Sequence, residues 1–98
     1  ETMAAYVIVH FTVKDQEKFE QYGAGARPTL GAFGGEFMTR GTVTEVLHGS
    51  HDHQAAVLLK FPDADAVHKW YNSDAYQANI PTRSEAIDTV SIAIEEAG

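Results

Sequence analysis

Residues 5–13 read Ala-Tyr-Val-Ile-Val-His-Phe-Thr-Val, and this stretch decides the fold. Its β-branched and aromatic residues favour a β-strand, in which successive side chains point to opposite faces. The positions on one face are all apolar: Val7, Val9, Phe11 and Val13. The positions on the other face are mixed: Tyr6, Ile8, His10 and Thr12. The second face is neither a plain core nor a plain solvent surface.

Two amphipathic segments begin at acidic residues that are typical of helix N-caps. Asp15 precedes apolar residues at helical spacing up to about Ala26, where Arg27-Pro28 interrupts the pattern. Asp63 begins a second helical segment. A turn at Gly34-Gly35 is expected to end the first helical region.

Three further segments are predicted to be strands. Residues 36–47 read as one long strand or a hairpin-like pair with a bulge or bend at Gly41. Residues 55–61 and 88–95 are the other two. The segment 81–87 carries no clear pattern.

The chain contains a weak internal repeat, because each half is a strand that enters a helix through an acidic cap and returns to a strand. Two such halves give the order β-α-β-β-α-β, the ferredoxin-like unit with helices on one face of a four-stranded antiparallel sheet. We therefore expect residues 3–98 to form one α+β domain. Glu1 and Thr2 precede Met3 and are expected to be an addition ahead of a native start.

The sheet face without helices is predicted to be largely apolar. It would carry Tyr6, Ile8, His10, Met38, Leu58 and Ala93. An exposed patch of this size usually marks an interface. A chain of 98 residues without cysteine also lacks disulfides to stabilise it. Both features predict a homodimer in which two sheets pack face to face.

Composition excludes several classes of partner and cofactor. The net charge is −7, with only 7 Lys and Arg, so nucleic acid and anionic membranes are poor candidate partners. No apolar run reaches the ~20 residues of a membrane span, and no signal peptide is visible. The absence of cysteine fits a cytoplasmic location. Nucleophile-elbow, P-loop and dinucleotide motifs are missing, and we expect no cofactor.

Several stretches are similar to one known family. They are Ala5-Tyr6-Val7-Ile8, Pro28–Gly35, Arg40-Gly41, Glu45-Val46-Leu47, Phe61-Pro62 and, most specifically, Trp70–Gln77. From Met3 to about Glu95 the chain resembles a small bacterial domain of unknown function, family 1330, of the dimeric α/β-barrel superfamily. The resemblance implies a ferredoxin-like homodimer with facing sheets and no agreed activity. That superfamily holds heme-degrading and cofactor-free monooxygenases, isomerases, and dehalogenating or decarboxylating enzymes, so fold alone does not choose a reaction.

Three polar residues are candidates for catalysis: His10 as acid or base, Arg40 as anion holder and Glu45 as the group that orients the histidine. Such a set suits proton abstraction next to a carbonyl. The alternative is structural, with Arg40 and Glu45 as an ion pair near the dimer edge and His10 as an interface residue. Candidate ligand-binding residues are Tyr6, Met38 and Trp70, the last because a neighbour of a buried Tyr71 is not easily buried itself.

A polar turn carries His48, His51, Asp52 and His53, which could ligate zinc, copper or nickel. Their spacing matches no specific metal motif, so a solvated loop is the favoured interpretation and no metal site is assigned. Three hypotheses remain. The leading one is a homodimeric small-molecule-binding domain or cofactor-independent enzyme acting on a small carbonyl or aromatic compound by proton transfer, isomerisation or monooxygenation. The others are a non-catalytic ligand-binding or accessory protein, and a metal-binding protein that uses this turn.

Overall fold

A computed structural model describes residues 3–97, and the prediction about Glu1 and Thr2 lies outside this range. The strands are β1 (Ala5–Val13), β2 (Glu36–Thr42), β3 (Ala55–Phe61) and β4 (Ile87–Glu95). The helices are α1 (Gln16–Ala26), α2 (Ala64–Tyr71), α3 (Asp74–Gln77) and α4 (Ile80–Ala86), with 3-10 turns at Arg27–Thr29 and Gly31–Phe33. Within residues 3–97, no helix is long and apolar enough to cross a membrane.

The strands form one antiparallel sheet in the order β2-β3-β1-β4. β1 lies at the centre and pairs along its length with β3 and β4. The predicted β-α-β-β-α-β order is confirmed, and the second crossover consists of three short helices, α2, α3 and α4. β1 therefore has a hydrogen-bonded neighbour on each side and no free edge.

The predicted caps begin the helices. The Asp15 carboxylate accepts a hydrogen bond from the Lys18 amide at 3.1 Å, and Asp63 accepts one from Ala66 at 2.8 Å. The Ser73 hydroxyl accepts a hydrogen bond from the Tyr76 amide and starts α3. Most of the segment 81–87 belongs to α4, which ends at Ala86. The helix tolerates Pro81 because a proline in the first turn loses no helical hydrogen bond.

β2 differs from its prediction in length and in the position of its bulge. The strand ends at Thr42, whose partner Ala55 is the first residue of β3, so residues beyond it have no strand to pair with. The register shifts between Phe37 and Thr39, which makes Met38 the extra residue, and Gly41 pairs regularly with Ala56. The bulge predicted at Gly41 is therefore wrong.

The face of the sheet towards the helices forms the core with their inner sides. Its buried residues include Val7, Phe11, Leu59, Phe61 and Ile87. The other face, here called the open face, carries Tyr6, Ile8, His10, Leu58, Val90, Ile92 and Ile94.

The membership of the open face requires one correction. Ala93 was expected there but pairs with Val7, so it lies on the helix side. Val90, Ile92 and Ile94 take its place, and each is about half exposed. The open face is thus more apolar than the sequence predicted.

Gly34 allows a direct stability test. Its φ is 73°, and an added Cβ would lie 2.7 Å from Pro62 Cγ. We expect Gly34→Ala to lower the free energy of unfolding by about 1–2 kcal/mol, measured by urea denaturation. Gly31→Ala is the matched control, because an added Cβ there meets nothing within 4 Å, and its effect should stay within about 0.5 kcal/mol. Equal effects of the two substitutions would contradict the assigned turn.

Candidate functional site

A cavity of about 840 Å³ lies between the helices and the core face of the sheet. Its volume is within the range of small-molecule sites. Seven aromatic side chains line it: Phe11, Phe19, Tyr22, Phe37, Trp70, Tyr71 and Tyr76. The cavity therefore presents flat apolar surfaces of the kind that hold planar ligands.

A hydrogen-bonded network of three tyrosines and one arginine forms part of the cavity wall. The hydroxyls of Tyr22 on α1 and Tyr76 on α3 share a hydrogen bond of 2.7 Å. Arg83 Nη1 on α4 donates to the hydroxyls of Tyr76 at 3.1 Å and Tyr71 at 3.2 Å. Four helices thus bring polar groups that are up to 61 positions apart, Tyr22 to Arg83, to one place on an otherwise apolar wall.

Burial changes the acid–base behaviour of this network. It raises the pKa of Tyr22 well above its ordinary value, and the adjacent Tyr76 adds to the effect. Burial alone would lower the pKa of Arg83, but hydrogen bonds to Tyr71 and Tyr76 outweigh it and raise the pKa. At neutral pH the site therefore holds a protonated tyrosine beside a permanent cation.

Trp70 connects the cavity wall to the turn that follows α1. Its indole N–H donates to the Thr29 hydroxyl at 2.9 Å, and that hydroxyl donates to the Ala26 carbonyl. The ring packs on Phe61 and Tyr76, with centroids 5.2 and 4.5 Å away. The expectation that Trp70 would be more exposed than Tyr71 is wrong, because Trp70 is only 5% exposed and its neighbour is half-buried.

Two further arginines line the cavity at more exposed positions. The Arg27 guanidinium lies 3.9 Å from the centre of the Phe37 ring. The Arg40 guanidinium lies 5.7 Å from the centre of the Phe19 ring. Both contacts have the geometry of cation–π interactions, which hold an arginine without neutralising its charge.

The three predicted catalytic residues do not meet within a protomer. His10 pairs with Ala56 and lies on the open face, whereas Arg40 pairs with Val57 and points to the helix side. The bulge at Met38 causes this difference, because one extra residue reverses the faces of the strand beyond it.

Glu45 lies apart from Arg40. It is exposed in the loop after β2 and borders a shallow depression of about 410 Å³ that Ile8 and Leu58 also line. No salt bridge joins Arg40 and Glu45 in the described chain. The structural alternative of an ion pair is therefore not seen either.

The predicted ligand-binding residues also separate. Trp70 lines the cavity. Tyr6 pairs with Lys60 and Ile94 and belongs to the open face. Met38 is the half-exposed bulge residue and is not among the cavity-lining residues.

The histidine turn folds back on β1. His51 Nε2 lies 2.9 Å from His10 Nδ1, and His53 Nδ1 lies 3.1 Å from the Thr12 hydroxyl. His48 takes no part in these contacts, and among residues 3–97 no group of three or more His, Asp or Glu side chains is arranged to hold a metal ion. Metal binding by this turn stays a prediction, and the geometry gives it no support.

Sequence reasoning missed two of the arginines that line the cavity, Arg27 and Arg83. Arg83 falls in the segment that had no clear pattern, and Arg27 was interpreted only as the residue before a proline. One signal was available: the chain has only three arginines, at positions 27, 40 and 83, among 14 acidic residues.

The family model of a domain of unknown function, DUF1330, matches residues 4–97. The chain belongs to this family. No curated protein matches the chain. The predicted family is thereby confirmed, and DUF1330 itself carries no assigned activity.

Solved structures with the same fold are distant in sequence. A protein of unknown function from Rhodopseudomonas palustris has a TM-score of 0.81 at 14% identity, covering 100% of this chain and 85% of that one. SnoaB, a cofactor-independent oxygenase from Streptomyces nogalater, has a TM-score of 0.66 at 14% identity, covering 100% and 96%. A dimeric ferredoxin-like protein of unknown function from Thermobifida fusca has a TM-score of 0.63 at 14% identity, covering 97% and 92%. These likenesses establish the ferredoxin-like fold.

The raised pKa of Tyr22 predicts a loss of stability in alkali. Above the ordinary tyrosine pKa of about 10, the unfolded chain releases a proton that the folded chain keeps. Stability is therefore full below pH 10 and falls as the pH rises, by up to about 1.4 kcal/mol per pH unit for this group. We expect Tyr22→Phe to reduce the slope of unfolding free energy against pH above pH 10, measured by urea denaturation.

Phe19→Leu is the control for this measurement, because it changes a ring that lines the same cavity and removes no ionisable group. It should leave the alkaline slope unchanged. A slope that Tyr22→Phe does not alter would show that Tyr22 ionises as easily in the folded chain as in the unfolded one.

Proposed function

We propose that this DUF1330 protein is a homodimer in which each helix–sheet cavity binds a small carbonyl or aromatic compound. The observation that carries the proposal is the cavity itself, with its aromatic walls and the polar network of Tyr22, Tyr76 and Arg83. An apolar pocket with a few convergent polar groups is the usual form of a small-molecule site.

The same network supports chemistry without a cofactor. A carbonyl compound that gives an adjacent proton to a base becomes an enolate, and cationic or hydroxyl donors stabilise its oxygen. The carboxylate of Glu20, which also lines the cavity, is the base in this proposal. Arg83 and the hydroxyl of Tyr71 are such donors in the cavity. One protein of this fold, SnoaB, is a cofactor-independent oxygenase, and we propose cofactor-independent catalysis as the activity to test first.

The open face supports the homodimer. Ile8 pairs with Leu58 on one side and Ile92 on the other, which gives a continuous apolar row across three strands. Ile92 is 47% exposed in the isolated protomer. A second copy would cover this row, as apolar patches on small domains commonly require. A protein of the same fold from Thermobifida fusca is dimeric.

We propose that His10 is a residue of this dimer interface. The sheet separates it from the cavity, and its imidazole contacts His51. Arg40 keeps the role of anion holder, at the cavity. A cytoplasmic location completes the proposal, because a cysteine-free chain gains nothing from an oxidising compartment.

Filling the cavity tests whether it is the ligand site. Gly23 lines it, and an added Cβ there meets nothing within 4 Å, so Gly23→Phe should fold and occupy the space. The probes are nitroacetophenone and nitrobenzoate, which quench the fluorescence of Trp70, the chain's one tryptophan. We expect saturable quenching in the wild type, at least about tenfold weaker affinity in Gly23→Phe, and unchanged affinity in the control Gly23→Ala.

Absence of saturable quenching by both probes would contradict the proposed site. If a probe does bind, a turnover assay separates an enzyme from a non-catalytic binding protein. Consumption of an aromatic carbonyl compound without added cofactor supports an enzyme, and binding without any product supports the non-catalytic alternative.

A charge on the open face tests the dimer. We expect the wild type to sediment as a dimer at micromolar concentration and Ile92→Asp to sediment as a monomer, because pairing would bury an uncompensated carboxylate. Ala75→Asp is the control, since it places the same charge at an exposed position on α3 and should leave the dimer intact. A monomeric wild type would refute the homodimer.

A further inference from the structure

The basic residues of this acidic protein are unevenly placed. All three arginines line the cavity, whereas none of the four lysines does. Lys14, Lys18 and Lys69 instead pair with carboxylates outside it, at 3.5, 3.3 and 2.9 Å. Against a net charge of −7, the cavity is therefore a local region of positive charge.

In the part of the chain that the structure describes, the cavity arginines lack carboxylate partners. No Asp or Glu within residues 3–97 forms a salt bridge with Arg27, Arg40 or Arg83. Glu20 lines the same cavity, but its carboxylate accepts a hydrogen bond from Gln16 at 3.2 Å. Three cations line the same cavity, and an anion entering it would be attracted to all of them.

The polar network has more donors than acceptors. An arginine offers five N–H donors and no acceptor, and Arg83 directs its Nη1 to two tyrosine hydroxyls. The Tyr71 hydroxyl accepts one of these bonds, and among the described residues its own O–H has no acceptor. A carboxylate, which only accepts, complements such a set.

We propose that the ligand of this cavity is a planar conjugated carboxylic acid, bound through its carboxylate by Arg83 and Tyr71 and through its ring by the aromatic wall. Arg27 and Arg40, held against Phe37 and Phe19, attract the anion from the more exposed side. The inference rests on the proposed function, since it names the chemical class that the proposed site takes.

A matched pair of probes isolates the carboxylate. Nitrobenzoate and nitrobenzamide have nearly the same size and ring, but only the first is an anion at neutral pH. We expect the acid to bind about tenfold or more tightly than the amide, measured by calorimetry and by Trp70 quenching. Added sodium chloride should weaken binding of the acid and leave that of the amide unchanged.

Charge removal at the cavity completes the test. Arg83→Gln should abolish the preference for the acid, and Lys69→Gln, which removes the same charge from the outer face of α2, should retain it. Should Arg83→Gln fail to fold, Arg40→Gln carries the test, because Arg40 is exposed and its side chain forms no salt bridge with residues 3–97. This substitution should reduce the preference for the acid.

The outcomes separate the two proposals. If the amide binds as tightly as the acid, the cavity is a ligand site and the inference about the carboxylate is wrong. If the arginine variants behave like Lys69→Gln, the arginines do not select the ligand. If neither probe binds at millimolar concentration, the proposed function and the inference fail together.

Discussion

The structure depends on the central position of β1, whose two faces must both be covered while the helices cover only one. Alternation sends Val7 and Phe11 into the core and Ile8 and His10 to the opposite side. Because both crossovers return on the core side, the space between helices and sheet becomes the cavity. The uncovered side becomes the apolar open face. The proposed ligand site and the proposed interface therefore lie on opposite faces of the same strand.

The cavity differs from an ordinary apolar core because its helices contribute a hydrogen-bonded polar network. α1, α3 and α4 are short and lie side by side, and Gly25 on α1 approaches Asn79 so closely that a Cβ would clash with its side chain. This close approach lets Tyr22 reach Tyr76 across the helices. The network is thus positioned by backbone packing, and within residues 3–97 no salt bridge to a carboxylate offsets the charge of the arginines.

Much of this fold could be predicted from the sequence, because its signals are local. Caps at Asp15 and Asp63, the break before Pro28 and the turn at Gly34 each depend on a few adjacent residues. The site could not be predicted in the same way. The side of the sheet on which Arg40 lies depends on the bulge at Met38, and a bulge depends on how two strands pair, which periodicity along one strand does not reveal. Without the bulge, Arg40 would lie on the same face of the sheet as His10, as the sequence predicted.

The most direct measurement is a crystal structure of the wild-type protein soaked with nitrobenzoate. The account predicts electron density for the probe in the helix–sheet cavity, with a carboxylate oxygen within about 3.2 Å of the Arg83 guanidinium and the ring packed against the aromatic wall. Density for the probe only on the open face, or in the cavity with its carboxylate turned away from all three arginines, would contradict it.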